Sequence, residues 1–156
     1  MDERLYPYVI FLPKDRKEKV LEAIFGSNVP IDVLKFSLSQ GTGRKIYQRD
    51  LISKLGYSNK TIIEHLKTLT QLEILAEQME KVDGAGRTVW LKSYTLTDLG
   101  KWFALLLVGE ESLSSEEKAD IVRNAFRSYT KWIMELSEKL GMRKEDLSKI
   151  FEEEMR

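Results

Sequence analysis

Apolar residues recur along this chain with two different periods, and the change between them divides it into helices and one hairpin. Leu51, Ile52 and Leu55 fall at helical spacing and stop at Gly56. After Tyr57-Ser58 a second run continues through Ile62, Leu66, Leu69 and Leu72. This predicts two short helices joined by a tight glycine turn, the helix-turn-helix arrangement whose second helix fits the DNA major groove. After Leu72 the period changes. Ile74–Val82 and Thr88–Thr95 read as strands around Asp83-Gly84-Ala85-Gly86-Arg87. Asp-Gly followed closely by a second glycine is hairpin chemistry, since both glycines accept positive φ.

The flanking pattern extends this picture. Pro7 and Pro13 bracket Tyr8–Leu12, an extended arm or short strand. Lys14 to Phe25 reads as a helix with Val20, Leu21, Ile24 and Phe25 inside, ended by Gly26. A second helix starts at Pro30, which the first turn tolerates, and ends near Gly41. Lys45–Tyr47 is short and extended. Beyond the hairpin, Thr97 caps a helix whose body, Leu99 to Val108, is apolar nearly all round and therefore needs cover on more than one side. Gly109 to Ser114 is a linker. A long helix then runs from Ser115 to about Leu140, with Val122, Ala125, Phe126, Tyr129, Trp132, Ile133, Leu136 and Leu140 on one stripe. Gly141 interrupts it, and Arg143–Met155 forms a last helix with Leu147, Ile150 and Phe151 inside. The expected fold class is mainly α with a small β-hairpin wing (α+β): a winged helix-turn-helix over residues 1–108, followed by C-terminal helices over 109–156.

Composition narrows the functional classes. The 156 residues suffice for one domain, or a small domain with an appended helical segment. The longest apolar run, Trp102 to Val108, is too short to cross a bilayer, and the acidic start MDERLYPYVIFLP does not resemble a signal peptide. There is no cysteine, hence no disulfide, thiolate metal site or cysteine nucleophile. A cytoplasmic protein without a membrane partner is expected. The net charge is zero, but it is unevenly spread. Residues 44–75 hold six cations (Arg44, Lys45, Arg49, Lys54, Lys60, Lys67) against three carboxylates, a net +3. Residues 109–156 hold nine against twelve, a net −3. The positive excess lies on the helix-turn-helix, and local field governs DNA affinity more than the total does.

Candidate chemistry follows from that placement. Ser58 should cap the second helix, whose N-terminus can also meet a phosphate. Asn59, Lys60, Thr61, Glu64, His65, Lys67 and Thr68 spread around its open side. Asn suits adenine, Lys guanine and Thr a thymine methyl, while Glu64 either accepts from cytosine or repels phosphates. Arg44, Lys45, Arg49 and Lys54 suit phosphate clamping, and Arg87 sits where a wing reaches the minor groove or its phosphates. For each of these an ordinary solvated side chain is the competing reading. His65 is the only histidine and has no convincing carboxylate cluster beside it, so no zinc site is expected. Gly84-Ala85-Gly86 joins two strands and lacks the lysine spacing of a phosphate loop. No nucleophile–base pairing is apparent, so neither an enzyme nor a cofactor is expected.

Three stretches resemble winged-helix transcriptional regulators of the broad ArsR/MarR/PadR type, most closely the archaeal ones. Phe25-Gly26-Ser27 matches a turn between the first two helices. Leu51, Leu55, Gly56, Ser58, Thr61, Ile62, His65, Leu66 and Leu69 match the helix-turn-helix pattern L-x-x-x-L-G-x-S-x-x-T-[IV]-x-x-H-L-x-x-L. Tyr94, Leu96, Thr97 and Gly100 match the post-wing Y-x-L-T-x-x-G of the MarR and PadR groups. Together these cover roughly residues 20–105. There are departures: Glu73 stands where a glycine usually ends the recognition helix, Pro30-Ile31 replaces an arginine common in ArsR-like chains, and the cysteine metal-sensing box is absent.

The resemblance implies a homodimer bound to a pseudo-palindromic operator in double-stranded DNA, one recognition helix per half-site, acting most commonly as a repressor. Trp102, Phe103, Leu106, Phe126, Tyr129, Trp132, Ile133 and Leu136 are the candidates for the dimer seam or for a pocket holding a small apolar effector; plain intramolecular core is the alternative for them. A winged helix serving as a protein-interaction module in a transcription or replication complex is the competing function, and an RNA-binding winged helix is a third.

Overall fold

The computed structural model describes residues 22–23, 25–108 and 113–156. The expected arm at 8–12, most of the helix expected at 14–25 and most of the linker at 109–114 lie outside these residues. The described elements are α1 (Val29–Gln40), β1 (Ile46–Tyr47), α2 (Gln48–Lys54), α3 (Asn59–Gln71), β2 (Leu75–Gly84), β3 (Arg87–Leu96), α4 (Asp98–Val108), α5 (Ser115–Lys139) and α6 (Lys144–Glu154). The strands form one antiparallel sheet in the order β1-β3-β2. Helix-turn-helix followed by a two-stranded wing is the α+β arrangement the residue pattern predicts. Among the described residues no helix is long and apolar enough to cross a membrane.

One core joins all layers. Val33 and Leu34 of α1, Leu51 of α2, and Ile62, Leu66 and Leu69 of α3 are buried in it with Ile46, Leu75, Tyr94 and Leu96 of the sheet and Phe103 and Ala104 of α4. The cluster continues past the expected boundary at 108 into Leu113, Ile121 and Ala125. The nearly all-apolar α4 is thus covered within one chain, against α1 and α5.

The hairpin differs from expectation at its tip. Its strands pair as far as Gly84 with Arg87, leaving only Ala85 and Gly86 in the turn. The positive φ angles fall on these two, at 47° and 78°, and not on the glycine pair. Two long, right-twisted strands are best closed by a two-residue turn with both residues left-handed, so Gly84 is drawn into the ladder.

The stripe on α5 also needs correction. Ile121 and Ala125 face the core, whereas Val122 and Phe126 are exposed. The run carries apolar residues on two adjacent faces, and α4 covers only one. The helix begins with a complete capping box: the Glu117 N–H donates to Ser114 Oγ at 3.1 Å, and the Ser114 N–H donates to the Glu117 carboxylate at 3.3 Å. The same carboxylate accepts from the Thr42 hydroxyl at 3.1 Å, tying the loop after α1 to α5.

Candidate nucleic-acid interface

The geometry centres on α3. Gly56 supplies the left-handed turn residue, at φ 72°, that ends α2 and reverses the chain. Ser58 then caps α3: its Oγ accepts the Thr61 N–H at 3.2 Å while its hydroxyl donates to Thr61 Oγ1 at 2.8 Å. Ile62, Leu66 and Leu69 anchor the inner face. Asn59, Lys60, Glu64, Lys67 and Thr68 are exposed on the opposite side, with Thr61 and His65 half-buried at its margins. Ile63 is a member of this open face that the sequence reading passed over. It is 43% exposed, beside residues suited to base contacts, and an apolar side chain there suits a thymine methyl. Its signal was available: at helical spacing it falls outside the 62–66–69 stripe. Lys60 and Glu64 lie 4.0 Å apart, both well exposed, which leaves the lysine available to a phosphate or base.

Three devices hold α3 in place. At its N-terminal end, the Tyr57 hydroxyl donates to Asp32 of α1 at 2.5 Å, and this bond raises the Tyr57 pKa above its usual value. At its C-terminal end the chain leaves through a Schellman motif. The Ile74 N–H donates to the Leu69 carbonyl at 3.0 Å and the Glu73 N–H to that of Thr70 at 3.1 Å, with Glu73 itself at φ 58°. The glutamate therefore holds the left-handed position that glycine would fill more easily. The third device is Thr97, the cap of α4. Its Oγ1 accepts the Gly100 N–H at 3.0 Å, and its hydroxyl lies 2.5 Å from the Glu73 carbonyl and 3.0 Å from that of Ile74. The C-terminal end of α3, the root of the hairpin and α4 thus meet in one knot, and Gly100 makes the approach possible.

The basic residues assigned to phosphates fall in different settings. Arg44 is exposed in the loop before β1. Lys45 is bound to Glu80 of β2, which also accepts from the Tyr47 hydroxyl at 3.0 Å. Bonding to Glu80 raises the pKa of Lys45, and bonding to Lys45, then Tyr47, lowers that of Glu80. Lys45 thus fastens β1 to the wing, a partner lying too far off in sequence to be read locally. The Arg49 guanidinium stands 5.6 Å from the Tyr47 ring centroid, and Lys54 approaches the Phe36 ring at 5.7 Å. Arg87 is exposed at the hairpin tip.

The dimer and effector candidates divide. Phe103 is core. Trp102 and Trp132 are half-buried and packed against that core. Leu106, Tyr129, Ile133 and Leu136 are half-buried, and Phe126 is exposed with its ring 5.6 Å from that of Phe151 in α6. Helix α6 has no buried residue; Ile150 is 54% and Phe151 44% exposed. A groove of about 570 Å³ opens at the knot, where Thr70, Glu73, Thr97, Leu99 and Trp132 line it. Among the described residues no group of three or more His, Asp or Glu side chains could hold a metal ion.

No family model matches the chain, and no curated protein sequence matches it. A solved structure, described as a "possible transcriptional regulator" from Methanosarcina mazei Go1, aligns over 80% of this chain and 85% of its own, at 19% sequence identity and a TM-score of 0.43.

Proposed function

We infer that this protein is a sequence-specific regulator of transcription that binds double-stranded DNA as a homodimer, with α3 as the recognition helix and the hairpin as a wing. One observation carries the reading. The exposed face of α3 carries Asn59, Lys60, Glu64, Lys67 and Thr68 around Ile63, its inner stripe of Ile62, Leu66 and Leu69 is buried, and both ends of the helix are fastened by hydrogen bonds. Asn59, Lys60, Thr61, Ile63, Glu64, His65, Lys67 and Thr68 meet base edges or the groove wall, with the α3 N-terminus at Ser58 toward a phosphate. Arg44, Arg49, Lys54 and Arg87 supply phosphate contacts that set register and salt dependence. Lys45 acts through the Glu80 clamp. The reading includes no catalytic step and no cofactor.

The exposed side of α5 and the whole of α6 support the dimer. An eleven-residue helix with no fully buried residue and Leu147 only half-buried is marginal in water, and a second copy laid on Phe126, Ile150 and Phe151 would cover it. Two-fold symmetry then places two α3 helices on half-sites about one helical turn apart. Repression by occupying a promoter is the simplest outcome. The same exposed helices favour the second reading, a module docked on a different protein. Replacing Lys60 and Lys67 by alanine separates the two: a regulator loses its specific gel shift, while a module keeps its partner. Light scattering on Phe126→Glu tests the dimer, which should dissociate.

A further inference from the structure

Helix α5 is joined to the winged body by two kinds of contact. Ile121 and Ala125 are buried in the common core, packed with α4. Apolar burial of this kind resists separation but is non-directional, so it resists turning much less. The second contact has a direction. The Thr42 hydroxyl donates to Glu117 Oε2 at 3.1 Å, across 75 residues of chain. Glu117 is itself fixed, because its other carboxylate oxygen accepts the Ser114 N–H in the capping box. The Ser114 N–H, the Ser114 hydroxyl and then the Thr42 hydroxyl hold its carboxyl below the usual 4.5, so it is charged at neutral pH.

The Thr42 end is fixed as well. Thr42 and Gly43 form the centre of a turn, closed by the Arg44 N–H donating to the Gly41 carbonyl at 3.2 Å. The Arg44 stem folds back over Gly41, where an added Cβ would lie 3.4 Å from Arg44 Cγ. Just beyond, Ile46 is buried in the core, and Lys45 and Tyr47 are bonded to Glu80 of β2. Thr42 thus belongs to the body that carries α3, and Glu117 to the helix that carries the proposed dimer seam.

Leverage decides whether one bond matters. Ala125 lies eight residues along α5 from Glu117, about 12 Å of helix. A slip of about 1 Å at Glu117 therefore turns α5 by about 5° about its anchor at Ala125. With half-sites about 34 Å apart, two protomers turned in this way shift their α3 helices by about 3 Å relative to each other. One base pair rises about 3.4 Å, so the slip is worth a change of about one base pair in spacing.

We propose that Glu117, acting through Thr42, is a positioning residue that fixes the winged body on α5 and so sets the half-site spacing the dimer accepts. The proposal rests on the homodimeric DNA-binding reading above.

The test is binding of the full chain to a duplex selected from a randomised pool by the wild-type protein. It is compared with duplexes that gain or lose one base pair between the half-sites, and with one holding a single half-site. A hydrogen bond to a charged group is worth about tenfold in an equilibrium constant, so the wild-type protein should lose about tenfold on either respaced duplex. Thr42→Val keeps the shape without the hydroxyl; it should lose only about twofold there, while binding the single half-site like wild type. Thr42→Ser keeps the hydroxyl and should restore the penalty. Glu117→Gln keeps the capping box with a neutral acceptor and should fall between. Thr42 is half-buried in a turn outside the capping box, so circular dichroism should show its variants folded. A Thr42→Val protein with the wild-type spacing penalty overturns the proposal alone. So does one that loses as much affinity for the single half-site as for the whole operator, since the bond would then serve only the winged body. A wild-type protein that selects no duplex, or one without paired half-sites, removes the homodimeric DNA-binding reading and this inference with it.

Discussion

Replacing Gly100 by alanine adds one methyl group at the point where α4 lies closest to the root of the wing. An ideal Cβ there would sit 2.1 Å from the Ile74 carbonyl oxygen, 3.1 Å from its carbon and 3.2 Å from Leu96 Cδ2. A carbon–oxygen contact is comfortable at about 3.3 Å or more, so the two segments must separate by roughly 1 Å. The carbonyl cannot simply turn away, because it accepts the Thr97 N–H at 3.2 Å and lies 3.0 Å from the Thr97 hydroxyl. Overpacking of this kind costs about 1–3 kcal/mol, and loosening the two bonds adds about 1 kcal/mol each. Alanine recovers about 1 kcal/mol through its higher helix propensity. The net loss is about 2–4 kcal/mol, a large share of the 5–15 kcal/mol typical of a folded domain. Thermal unfolding followed by circular dichroism should show the midpoint lowered by about 4–16 °C. Gly43→Ala is the control, since a Cβ there meets nothing within 4 Å, and its stability should be equal or slightly raised. A Gly100→Ala protein that unfolds at the wild-type temperature would refute the idea that α4 is pressed onto the wing root at this glycine.

Glu73→Gly should act in the opposite direction: relieving a left-handed L-residue gains about 1–2 kcal/mol, glycine's extra chain entropy returns about 0.5–1 kcal/mol, and urea titration should record the small net gain. Ser58→Ala removes the cap of α3 and should cost about 1 kcal/mol in the same titration, with DNA affinity falling as the helix start frays. The Glu80 clamp has a defined pH window. The lowered Glu80 pKa contributes stability above its ordinary value of 4.5, lost as pH falls through the lowered folded value. The raised Lys45 pKa contributes below 10.5, lost as pH rises through its raised folded value. Melting temperature against pH should therefore be lower for Glu80→Gln across the neutral range and converge on wild type in acid; curves offset equally at all pH values would deny the clamp an electrostatic part.

What could be read from residue order was what short-range chemistry decides. Ile62, Leu66 and Leu69 at helical spacing, with Gly56 and Ser58 ahead of them, mark α3, its turn and its cap without further information. The hairpin was equally legible as a hairpin, but its turn was not, because glycines at 84 and 86 suit either a five-residue or a two-residue closure. Only the pairing of Gly84 with Arg87 chooses between them. The inner face of α5 was ambiguous for a related reason: Ile121 and Val122 are adjacent apolar residues, and which one is covered depends on where α4 lies. The engagement of Lys45 with Glu80 needs two segments brought together by β3, which no local pattern encodes. The exposure of Trp90 is hidden for a different cause, since alternation marks which face a residue takes and not how far the strand outruns the body. Glu73 is the converse case: the resemblance marks its position as one usually held by glycine, and the residue there does take the left-handed conformation, at φ 58°.

On the proposed function, the open face of α3 reads DNA sequence. Its most direct test is fluorescence anisotropy of the purified protein with a labelled duplex from upstream of its own gene, at several salt concentrations and with scrambled duplex as competitor. Tight binding that weakens steeply with salt, through the phosphate contacts, yet survives the scrambled competitor is the expected result. Equal and weak binding to both duplexes would contradict it and turn attention to a protein partner on α5 and α6.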